Sequence, residues 1–114
     1  DGDTPFRLLQ FLRNYPDVKV LAPHLGGLLC LYGLLPTIRP LLRNVHFITS
    51  VSASMQMVAF AAQVIEDAII FGTDFPFNHC HSQKVPLESI RMLDLPAEQK
   101  NAILGRTAQK LFRI

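Results

Sequence analysis

Cysteine is scarce in this 114-residue chain, with only Cys30 and Cys80 present. They lie far apart and without finger-like spacing, which excludes a disulfide framework and a zinc finger. Strong charge of either sign is also missing: eleven basic and nine acidic residues leave a net +2. The basic residues are scattered, so there is no nucleic-acid footprint and no nucleic-acid partner is expected. No apolar run is long enough to span a bilayer, since the stretch from Leu25 to Leu35 is interrupted by Gly33 and closed by Pro36. The acidic opening Asp1-Gly2-Asp3 is unlike the basic start of a secretory leader. No membrane association and a cytoplasmic location are the resulting expectations. Hairpin signals between strand-like segments are absent as well.

What is present is apolar. Hydrophobic residues make up 49% of the chain, with a mean hydropathy of +0.24. So short a chain with that content implies elements buried on both faces, or surface that something else covers. Thr4-Pro5 reads as an N-cap with proline in the first turn of a helix running through Arg13. Val18–Ala22 reads as a strand, and the segment from Leu28 to Arg43 as two short helices separated by Pro36 and Pro40. Val45–Ser50 is a second strand, Ser54–Ile65 a helix with Met55, Met57 and Phe60 in the core, and Ala68–Gly72 a third strand. Short helices are expected from Pro86 to about Leu93 and from Pro96 to a stop at Gly105, followed by a last one capped by Thr107 and ending at Phe112. Helices alternating with apolar strands predict an α/β fold with a parallel sheet and right-handed crossovers. Three such strands alone leave open edges, so the architecture reads as unfinished.

Parallel strands deliver chemistry at their carboxyl ends. The first strand runs into Pro23-His24-Leu25-Gly26-Gly27 and the third into Gly72-Thr73-Asp74-Phe75-Pro76-Phe77. An imidazole and a carboxylate at one rim suit a divalent metal with a proton-transfer partner. His24 before two glycines reads equally as a residue satisfying turn backbone groups, and Asp74 as an Asx-turn residue. Thr49 and Ser50 read as ordinary strand-end residues. His79-Cys80-His81 has the form of an H-x-H ligand pair, but it stands in a loop, where contact with substrate is the better reading. Nothing marks Cys80 as a nucleophile.

These segments together resemble the amidohydrolase-related family of metal-dependent (β/α)8 barrels, which includes both hydrolases and non-oxidative decarboxylases such as aminocarboxymuconate-semialdehyde decarboxylase. The resemblance is carried in order by Tyr15-Pro16-Asp17 through Gly27, by Asn44–Ser50, by Ile69–Phe77 and by Ile103–Phe112. It implies that residues 1–114 are a single partial domain, the last three βα units of the barrel. It also implies that the family's first-strand His-x-His and fifth-strand histidine lie outside this chain. By the same analogy His24 manages the proton of an activated water and Asp74 is a metal ligand. The metal implied is zinc foremost, with manganese or iron as alternatives. Two departures stand out: Thr107 where the family carries asparagine, and no acid in Ile48-Thr49-Ser50. The implied activity is metal-dependent hydrolysis of a small organic substrate, with decarboxylation on the same site as the alternative. Phe75, Phe77, His79 and His81 are expected to line the substrate mouth. This chain holds only part of the site, so alone it is expected to be inactive. A non-catalytic α/β fragment or assembly module, including a homo-oligomer, is the remaining reading.

Overall fold

The computed structural model describes residues 4–50, 55–78 and 82–114. Helix α1 (Thr4–Asn14) leads to strand β1 (Val20–Ala22), a single turn α2 (His24–Gly27) and two 3₁₀ segments, Leu29–Leu34 and Arg39–Leu42. Strand β2 (Val45–Ile48), helix α3 (Met55–Val64) and strand β3 (Ile69–Ile70) follow, and then helix α4 (Lys84–Arg91). The chain closes with α5 (Ala97–Asn101), a π-turn (Ala102–Arg106) and α6 (Thr107–Phe112). Among the described residues no helix is long and apolar enough to cross a membrane.

The strands form one sheet in the order β1-β2-β3 with both pairings parallel. Val20, Leu21 and Ala22 lie beside Val45, His46 and Phe47, and Phe47 and Ile48 lie beside Ile69 and Ile70. That register puts Ala22, Phe47 and Ile69 on one face, where all three are buried in a core shared with Leu9, Leu12, Leu25, Leu29, Val58 and Ala61. Leu21, His46 and Ile48 fall on the other, thinner face, and Leu21 is 44% exposed. β1 starts two residues later than its apolar run and β2 ends at Ile48, although the Thr49 N–H still donates to the Ile70 carbonyl at 2.9 Å beyond it.

Other elements depart from expectation at specific residues. Phe60 is 44% exposed rather than core, while Met55 and Met57 are partly buried. Pro86 lies inside the first turn of α4, two residues after its start at Lys84, where a missing backbone N–H costs nothing. Gly105 does not end a helix, because α5 continues through the π-turn into α6. Thr107 is therefore a buried helical residue with φ −62°, not a cap.

The π-turn has a local use. Thr107 N–H bonds to the Ala102 carbonyl, five residues back, instead of the Ile103 carbonyl. Ile103 then accepts the Phe71 N–H at 2.9 Å, which satisfies a donor just past the end of β3.

Candidate active site

The rim begins where β1 meets α2. Five successive residues, His24 to Leu28, have positive φ between 52° and 71°, a turn of left-handed backbone. Gly26 and Gly27 accept it freely; His24, Leu25 and Leu28 do so at about 1–2 kcal/mol each. Strain of this kind persists only where the surroundings enforce it. Leu25 is completely buried, and a Cβ on Gly26 would stand 2.8 Å from the Phe47 ring, so the turn is clamped against β2.

Ser50, just beyond β2, holds His24 at two points. Its hydroxyl accepts the His24 backbone N–H at 3.0 Å. Its carbonyl lies 2.7 Å from His24 Nδ1. A carbonyl only accepts, so Nδ1 carries a proton, and in the neutral ring Nε2 holds the lone pair. His24 is exposed, and among the described residues Nε2 makes no hydrogen bond. The histidine thus satisfies a cross-strand carbonyl with one nitrogen and presents the other.

Thr49 joins the second strand end to the third. Its buried hydroxyl accepts the Gly72 N–H at 3.1 Å and donates to the Gly72 carbonyl at 3.2 Å. Gly72 has no alternative side chain here, since a Cβ would collide with Ile48. Two residues on, Asp74 also has a left-handed backbone, with φ 59°. It is not the side chain that makes the turn. Thr73 Oγ1 accepts the Phe75 N–H at 3.1 Å, and the Asp74 main-chain carbonyl accepts Phe77 N–H at 2.7 Å. Among the described residues the exposed Asp74 carboxylate has no hydrogen-bond or ion-pair partner, which leaves its oxygens available to a cation.

The loop after Asp74 is anchored by Asn78, whose side chain is 1% exposed. Its Nδ2 donates to the Thr73 and Ser82 carbonyls at 2.8 and 2.7 Å, and its Oδ1 accepts the Ser82 N–H at 3.1 Å. Phe75 and Phe77 project from that anchored loop at 48% and 83% exposure. His79, Cys80 and His81 lie outside the described residues. Sequence reasoning missed both Ser50 and Asn78; a serine closing a strand and an asparagine in a polar loop carry no distinguishing signal. Burial pushes the Cys30 thiol up to about 11, so it is no nucleophile. Arg39 is committed to the Val64 carbonyl and Arg43 to Asp17 and the Pro40 carbonyl, away from the rim.

A family model described as amidohydrolase matches residues 3–114. Among solved structures, the chain resembles 5-carboxyvanillate decarboxylase LigW from Sphingomonas paucimobilis, with a TM-score of 0.77 and 17% identity. The match covers 96% of this chain but 39% of that one. No curated protein matches by sequence. At that identity the structural likeness speaks for the fold.

Proposed function

Because the chain belongs to the amidohydrolase family, we propose that it is the carboxyl-terminal part of a metal-dependent (β/α)8 hydrolase acting on a small organic substrate. The observation that carries this reading is the Nδ1 contact of His24 with the Ser50 carbonyl at 2.7 Å. It supports the tautomer that leaves Nε2 able to take a proton, at the same strand-end rim as a carboxylate that has no partner among the described residues.

The residues present fit a metal site in part. Asp74 offers a hard oxygen donor suited to zinc, manganese or iron. Among the described residues no three His, Cys, Asp or Glu side chains converge, whereas a catalytic zinc takes about three protein ligands. Asp74 would hold the ion together with residues contributed from outside the described set. A bound divalent ion supplies the Lewis acidity that makes water nucleophilic near neutral pH. His24 Nε2 accepts the proton that water releases and returns it to the leaving group. Ser50 keeps the imidazole facing that proton. Phe75 and Phe77, with His79 and His81, form the substrate mouth in this reading.

A second reading, decarboxylation, is favoured by the neighbour of similar fold, whose name states that reaction. There His24 would first take up a proton from solvent at Nε2, Nδ1–H staying on the Ser50 carbonyl, and would then deliver that proton to the carbon that loses carbon dioxide. The test assays the complete, metal-loaded protein carrying this segment against ester and lactone substrates and against carboxylated aromatics. Hydrolysis products without carbon dioxide support the hydrolase; carbon dioxide release replaces it with the lyase. Activity unchanged in both Asp74→Asn and His24→Asn would remove the rim from either mechanism.

A further inference from the structure

At the opposite edge of the sheet, where the strands begin, a second concavity has a different character. Lys19 precedes β1, His46 stands early in β2 and Asp67 precedes β3; with Arg106, Lys110 and Leu111 they line a cavity of about 270 Å³. We infer that this cavity is a binding site for a small dianion, an organic phosphate or a dicarboxylate.

The charge balance is the first reason. Among the described residues, three cations and one carboxylate line the cavity, which makes its wall net positive. Among the described residues Lys19 and Lys110 have no hydrogen-bond or ion-pair partner, and both are exposed. Arg106 is held in place by its Nη2 donating to the Glu98 carbonyl at 2.8 Å. Like charges gathered around one concavity raise its positive potential, which an anion bound there relieves.

His46 is the second reason. Its Nδ1 is buried and among the described residues has no hydrogen-bond partner, and an orphaned polar atom of that kind marks a place where a ligand or water completes the bonding. Burial, and then Lys19, push the imidazole down, and an anion beside it would oppose the Lys19 part of that effect. Ala102, Thr107 and Leu111 complete the lining and give it an apolar part that suits a short carbon skeleton, and the volume is near the lower end for small-molecule sites.

The test is calorimetry and side-chain NMR on the chain with inorganic phosphate, glycerol 3-phosphate and succinate, at ionic strength matched with chloride. The expected result is saturable binding that moves the His46 imidazole signals. Binding should weaken by about tenfold or more in the Lys19→Gln/Lys110→Gln double variant. It should tighten severalfold in Asp67→Asn, which removes an opposing charge while keeping a residue type that tolerates the φ of 61°. Preference for the two phosphates or for succinate tells which dianion the site takes. No saturable binding by any of the three, or binding that ignores both the double variant and Asp67→Asn, overturns the assignment.

Discussion

His24 depends on Ser50 twice, through the hydroxyl on its backbone N–H and the carbonyl on its ring. Replacing Ser50 by alanine removes the first and leaves the second, at a position that is 8% exposed. The part-buried His24 N–H then loses its partner, so the expected loss is about 1 kcal/mol in a denaturant titration. His46 yields a prediction of a different kind. Its folded pKa lies below the ordinary 6.5, so on acidification the unfolded chain takes up this proton first. The contribution of His46 to stability is whole above that value, is lost as pH falls below it, and levels off beneath the folded pKa. His46→Gln should flatten this part of the pH–stability profile; a profile of unchanged slope would show that His46 is not its source. The sequence disclosed His24 and Asp74 because strand ends are places where such groups matter. It could not disclose Ser50, Thr73 or Asn78, whose roles arise from backbone groups brought close by the fold.

Among the elements, two glycines predict opposite outcomes. Gly26 sits in the left-handed turn with φ +68° and the Phe47 ring 2.8 Å from where a Cβ would stand. Gly26→Ala should destabilise the protein by about 2 kcal/mol or more, from backbone strain and overpacking together. Gly105 lies within the helical π-turn with nothing within 4 Å of its Cβ position. Gly105→Ala should therefore stabilise by about 0.5–1 kcal/mol, the helix propensity difference. Thermal melting of the two variants checks both signs. From sequence Gly105 looked like a helix stop, since glycine after an apolar turn usually is one. The π-turn overrides that signal, because the Phe71 N–H takes the Ile103 carbonyl, a tertiary demand that no local pattern records. The alternation of helices and strands, and their parallel pairing, were legible because continuous apolar runs without hairpin turns admit few arrangements.

For the molecule as a whole, β1 and β3 remain sheet edges among the described residues, and the rim carries one carboxylate that is ready for a cation. If the chain completes a larger metal-dependent barrel, Asp74 and His24 have separable duties. Asp74→Asn removes a charged ligand while keeping a residue suited to its left-handed backbone. In the complete enzyme this change should lower bound metal and turnover together, and excess metal should partly restore both. His24→Asn likewise keeps a residue tolerant of φ 55° but deletes the ring that moves the proton. Metal content should stay near that of the parent while kcat falls by about 10²–10⁴-fold, the usual share of a positioned general base. Elemental analysis beside steady-state kinetics separates the two. A His24 variant that loses its metal would make the imidazole a ligand rather than a proton carrier. The Ser50 contact would then orient a metal-binding nitrogen, a role the same tautomer also serves.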